Sequence, residues 1–248
     1  MSPLPKARTS QTASSHSSGA DRGALATYDP AMTVSWNWEI IDERIAMDMS
    51  LFTEADIPDV GPRHPDAEHW IWHYFANTVV RARFDGAPDR YAALMIRRIT
   101  ISFEEYELAR TRTSEFLDRR AAGGQPIREY LSALHHWEQV VAAVWQCSEA
   151  MMKWTGQQMF KGGDGSAAER MHHLYNRSKH TDKAVRSGQM PPKGQVAMWL
   201  TNEGLRTTEQ AMEWAELADA LDELGKTASI LQDPMTAFSS LPDSDPSE

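Results

Sequence analysis

The chain has 248 residues, of which 41% are hydrophobic, and a formal net charge of −10 at pH 7. That length and apolar share suit one large domain or two small ones with a core that needs no staples. The acidic balance argues against a general nucleic-acid coat, the lone Cys147 excludes an intramolecular disulfide, and the longest apolar run, Val140–Trp145, is too short to span a bilayer.

Residues 1–31 are rich in Ser, Thr, Pro, Gly and Ala and poor in large apolar side chains. Burial cannot offset the ordering entropy of such a segment, so it is predicted to be disordered. It has neither the apolar run of a secretory leader nor the amphipathic face of a transit peptide, and a soluble cytoplasmic protein is expected. Met32 opens the first patterned stretch. From there to residue 238 the sequence predicts one helical bundle domain, followed by a disordered tail over 239–248.

Trp36, Trp38, Ile40 and Ile41 begin with alternation and pass into helical spacing, predicting an extended start and a short helix over Glu39–Leu51. Pro58, Gly61, Pro62 and Pro65 mark a loop. Asp66–Phe84 is predicted as a helix that Asp85-Gly86 stops. Apolar residues nearly encircle its first half, which predicts a central position. His69 and His73 stand at i, i+4, and Asp66 and Glu169 each precede a histidine by three. Di-iron bundles need two equivalent Glu-x-x-His units and two further carboxylates. That ligand count is not met, so no metal and no cofactor is expected, and these histidines read as packing residues.

Pro88–Ala121 and Ile127–Trp154 have long helical periodicity, separated by Gly123-Gly124 and opened by Pro88 and Pro126. In the second, Glu138 falls inside the apolar stripe between Leu134 and Val141. A carboxylate there is expected to find a partner, because an unpaired buried charge is costly. One partner is the polar face of the next helix. Cys147 on the same helix reads as a small buried hydrophobe. Val196–Leu200 is a short apolar run turned back at Asn202-Glu203-Gly204, which predicts a small hairpin. Thr208 is expected to cap a last helix running to Leu231. The fold class is therefore all-α: an up-and-down helical bundle with a small β-hairpin near its C-terminal end.

The remaining helix, Ala167–Val185, carries the chemistry. Ser166 and Glu169 form a predicted capping box at its start. His173, Asn176 and His180 fall at i, i+3 and i+7, one helical face, with Arg177 and Lys179 beside them. Over Glu169–Gln195, Arg170, Arg177, Lys179, Lys183, Arg186 and Lys193 stand against only Glu169 and Asp182, whereas the chain from Glu203 onward is strongly acidic. A solvated helix face is the plainest account of such a run. The candidate catalytic residues are His180, Asn176 and Arg177. The candidate binding residues are His173, Lys179 and Glu138.

Two long helices, a helix with Asn176-x-x-x-His180 and a last helix together resemble the HEPN superfamily of helical bundles over roughly Pro88–Leu231. In the endoribonucleases of that superfamily an arginine, often followed by a polar residue, precedes a histidine by four to six residues on a late helix. Here Arg170 lies too far upstream of His180 and Arg177 too near. The strings LYNRSKH and PPKGQVAMWLTNEGL also resemble a group of bacterial proteins without an assigned activity. The resemblance implies metal-independent RNA cleavage, a link to toxin or defence systems, and a homodimer through the Ala167–Val185 helix that brings two copies of His180 together.

Two functions follow. In the first, the chain is a non-catalytic helical interaction module, with His180 and Asn176 bonded to Glu138 or a backbone carbonyl in a buried polar network. In the second it cleaves RNA: a 2′-hydroxyl attacks its own phosphate, His180 moves a proton, and Arg177 or Lys179 offsets charge on the phosphorane. The module is preferred, because a histidine on a helix is more often satisfied structure than a catalyst. The exposure of His180 separates the two.

Overall fold

The computed structural model describes residues 37–81 and 86–235. The expectations for residues 1–31, for the extended start at Trp36, for the end of the second helix at Phe84 and Asp85, and for the tail lie outside those residues. The described chain is mainly helical: α1 Trp38–Arg44, α2 Trp70–Val80, α3 Ala87–Ala121, α4 Ile127–Thr155, α5 Ala167–Lys179, α6 Thr181–Arg186 and α7 Trp214–Leu231. Three short strands, β1 Trp199–Leu200, β2 Gly204–Arg206 and β3 Ala211–Glu213, form an antiparallel sheet in the order β1-β2-β3. No helix among the described residues is long and apolar enough to cross a membrane.

The α3–α4 pair is the spine. Gly86, at φ 67, precedes Pro88 in the first turn of α3, and Gly156, at φ 71, closes α4 in the left-handed conformation. Proline suits a first turn, where its missing N–H has no helical partner, and glycine suits a left-handed cap. Between the two helices Trp137 stands edge-on to Tyr106, 5.3 Å between ring centroids, and its Nε1 donates to Thr113 Oγ1 at 3.0 Å. Trp214 of α7 packs on the other side of Trp137 at 4.7 Å. Leu217, Leu221 and Leu224 are buried as their spacing predicts.

The segment after α1 is held where α3 ends and α4 begins. Phe52 stacks on Phe116 of α3 at 5.4 Å and meets Tyr130 of α4 edge-on. Arg120 lies 4.4 Å over the Trp38 ring and donates to the carbonyls of Met49 and Ser50. An isolated bridge pairs Ala46 with Gly194, and Asn202 Oδ1 accepts from the Thr53 backbone at 3.0 Å.

The sheet is built by two threonine turns. Thr201 Oγ1 accepts from Gly204 N, and Thr207 Oγ1 accepts from Gln210 N, each at 3.1 Å. Such hydroxyls stand in for a backbone acceptor in a tight reversal. Gly204 is obligatory, because a Cβ there would lie 1.9 Å from the Met212 carbonyl across the ladder. Leu200 N donates to the buried Tyr130 hydroxyl at 3.0 Å, which fastens the sheet to α4.

Four local expectations are corrected. Thr208 does not cap the last helix; it sits in the turn between β2 and β3, and Glu213 with Glu216 forms the capping box instead. α2 is preceded by a 3₁₀ turn over Ala67–His69 and lies at the periphery, with only Trp70 buried. The predicted helix Ala167–Val185 breaks at His180 into α5 and α6, and Val185 on α6 is 60% exposed. Glu138 has no hydrogen bond or ion pair among the described residues, and burial raises its pKa above the ordinary carboxylate range.

Candidate functional site

The site begins at the start of α5. Ser166 Oγ accepts from Glu169 N at 3.2 Å, the first half of the predicted capping box. The second half differs. Glu169 reaches past Ser166 and accepts from the backbone N–H groups of Gly163 and Gly165. Those two donors hold its carboxyl below the usual range, because hydrogen bonds to the charged form favour it. Glu169 Oε1 lies 3.8 Å from His173 Nε2, one turn along the helix.

At the other end His180 adopts φ −114, ψ 40 and ends α5; its N–H still bonds to the Asn176 carbonyl at 3.0 Å. Its own carbonyl then accepts from Lys183 and Ala184 and starts α6. Thr181 turns its hydroxyl back to the Ser178 carbonyl at 3.0 Å, competing with the helical ladder at the break. The bend brings Lys183 alongside His180. His173, Asn176, Arg177, His180 and Lys183 then line one open polar cleft of about 380 Å³, which Gln189, Thr207 and Glu209 close from the opposite side.

The members are not equally free. Arg177, only 11% exposed, is held by Glu209 at 2.9 Å and by Gln189 Oε1 at 3.3 Å. Asn176 Nδ2 lies 2.8 Å from His172 Nε2. His172 is packed against Trp145 at 4.5 Å, and burial lowers its pKa, so it accepts as a neutral ring. His180 and Lys183 are exposed, and their side chains have no hydrogen bond or ion pair among the described residues.

Two sequence candidates stand elsewhere. Lys179 is exposed and rests 5.1 Å over the Tyr175 ring, outside the cleft, and Glu138 on α4 is not among the lining residues. Of the basic run, Arg170 pairs with Glu216, Arg177 with Glu209 and Arg186 with Asp182. Much of the positive charge that the segment shows in sequence is therefore matched. His69 pairs with Glu68, and His73 Nδ1 lies 2.9 Å from Gln232 Oε1. Among the described residues no three His, Cys, Asp or Glu side chains form a group able to hold a metal ion. Cys147 is buried, and burial pushes its thiol up to about 12.

Lys183, Gln189, Thr207 and Glu209 were not singled out by sequence reasoning. Lys183 follows His180 by three and could have been found by letting the helix restart there. Glu209 carries no local signal, since its place depends on the two threonine turns. Comparison with family models, with curated proteins and with solved structures gives no match. The fold and the site together define a helical bundle with a histidine-bearing polar cleft at a helix break.

Proposed function

We propose that the cleft is an acid–base site for a phosphodiester, with single-stranded RNA as the substrate. The observation that supports this most is His180: an exposed imidazole in a polar cleft, without the buried partner that a structural network requires. In this reading one imidazole, His180, takes the proton of the 2′-hydroxyl as its oxygen attacks phosphorus. His173, oriented by the ionised Glu169, gives a proton to the departing 5′-oxygen. The products are a 2′,3′-cyclic phosphate and a free 5′-hydroxyl. Lys183, rather than the engaged Arg177 or the distant Lys179, offsets charge on the phosphorane. Both histidines and Lys183 belong to one cleft of one chain, so this reading does not need two α5 helices to face each other. Cytoplasmic residence, where RNA is at hand, belongs to the same proposal.

The fixed partners of Arg177 and Asn176 favour a second reading, the non-catalytic interaction module, in which the cleft receives a partner without reacting.

One variant decides between them. His180→Ala should melt like the wild type and lose cleavage of a mixed single-stranded RNA pool. Its wild-type counterpart should release cyclic-phosphate ends, with chelators present or absent. Wild-type protein that leaves the pool intact defeats the enzyme reading and leaves the module. A His180→Ala variant that still cleaves defeats the assigned role of that residue.

A further inference from the structure

A second space in the bundle lies on the far side of α5 from the cleft. α4, α5 and α7 enclose it, and its volume is about 400 Å³. Sites between bundle helices that hold small molecules have volumes of this order. Ala167, Ala168 and Met171 line it from α5, on the helical face opposite His173, Asn176 and His180. Ala168 of α5 and Ala220 of α7 present only methyl groups to it, which leaves the three helices short of filling the space. Met159, on the loop between α4 and α5, is 44% exposed and marks the opening to solvent.

The lining specifies the occupant. Trp145 borders the cavity, is only 3% exposed, and its Nε1–H has no hydrogen-bond partner among the described residues. His172 at 4.5 Å and Phe160 at 5.9 Å pack on the indole and hold it in place. A buried donor without an acceptor is costly, and a buried indole ordinarily finds one. The hydroxyl donors of the lining are already spent: Ser148 donates to the Val144 carbonyl at 3.1 Å and Thr227 to the Glu223 carbonyl at 2.9 Å. Met151, Met159 and Met171 add three thioethers, which adapt to an occupant's shape and favour contact with aromatic rings. Among the described residues no Lys, Arg or His lines the cavity, and its one charge is Glu223, paired with Lys226 at 2.7 Å. An anion would meet a carboxylate and no lining cation, and a cation would find that carboxylate already matched.

We infer that this cavity binds a small, neutral aromatic molecule carrying one hydrogen-bond acceptor, with the acceptor on Trp145 Nε1–H and the ring held among the three methionines. The site shares α5 with the cleft but none of its side chains. It is independent of the chemistry proposed there.

Benzophenone and its hydrocarbon isostere, with C=CH₂ in place of C=O, test it, because the two have nearly the same shape and only the ketone has an acceptor. Isothermal titration calorimetry of the full chain should give a single benzophenone site with a Kd of roughly 10–100 µM. The isostere should bind about tenfold more weakly, since it leaves the indole N–H unpaired. Trp145→Phe should keep the helical circular dichroism and erase that difference. Ala220→Leu, which fills the cavity, should abolish binding. Irradiated benzophenone adds to a neighbouring C–H bond, and mass spectrometry should place the adduct on Met151, Met159 or Met171. A wild type that binds neither probe overturns the inference, as does an adduct confined to residues outside the cavity or binding that survives in a folded Ala220→Leu variant. Equal affinity for the two probes, or a preference for the ketone that persists in Trp145→Phe, overturns the bond to Trp145. Should Ala220→Leu lose its helical signal, the position of the adduct decides.

Discussion

Glu138 shows how a single side chain can be read in two directions. Its place in an apolar stripe implies a partner, and a paired acid loses several kcal/mol of stability on removal. The structure leaves it without one, and burial pushes its pKa up. A carboxylate in that condition destabilises the fold whenever it is charged. Glu138→Leu is therefore expected to be neutral or stabilising, by about 1–2 kcal/mol near neutral pH, since a well-packed apolar replacement removes the desolvation penalty. The pH dependence has a definite sign. The folded state holds this proton more tightly than the unfolded one, so the wild type loses stability as pH rises through the ordinary carboxylate range. The advantage of Glu138→Leu over wild type should shrink on acidification. Urea midpoints of the two proteins at several pH values measure it.

At the scale of elements, α5 owes its start to Glu169 and its end to His180. The Glu169 carboxylate gathers two glycine N–H groups that the loop would otherwise leave without a partner. Because its folded pKa lies below the unfolded one, the stability it contributes is present above the ordinary glutamate range and is lost as pH falls through the lowered value. Glu169→Gln should lower the melting temperature at neutral pH and converge with wild type in acid, as differential scanning calorimetry would show. The long helices were legible because Pro88, Gly123-Gly124 and Pro126 punctuate an unbroken 3.6-residue period. The break at His180 was not, since neither glycine nor proline marks it and the decision rests on a bend that the packing around it selects. The position of α2 was also hidden. Its composition is apolar on most sides, and only the bonds to Gln232 and Asp233 decide which side turns outward. For the cleft, the local residues His173, Asn176, Arg177 and His180 could be read from spacing. The wall made by Gln189, Thr207 and Glu209 could not, because it is assembled across the sheet.

For the whole molecule, Tyr130 is the joint between bundle and sheet. Its hydroxyl accepts from Leu200 N while its ring packs against Phe52 and Phe116. Tyr130→Phe keeps the ring and removes the acceptor, so a buried N–H is left unsatisfied at a cost of about 1–3 kcal/mol. Because that N–H belongs to the sheet, the loss should appear equally in far-ultraviolet circular dichroism and in tryptophan fluorescence. Two separated transitions would show that the sheet melts on its own. The segment after α1 has a further consequence, which concerns the order in which the chain is made. Its anchors are Arg120, Gly194 and Asn202. During synthesis α3 and α4 can zip together as neighbours soon after they emerge, whereas Ala46 and Thr53 must wait for partners made about 150 residues later. The earliest described part of the chain is thus among the last to settle, and a ribosome stalled before Gly194 would carry a nascent helical hairpin with Ala46 and Thr53 still lacking their partners.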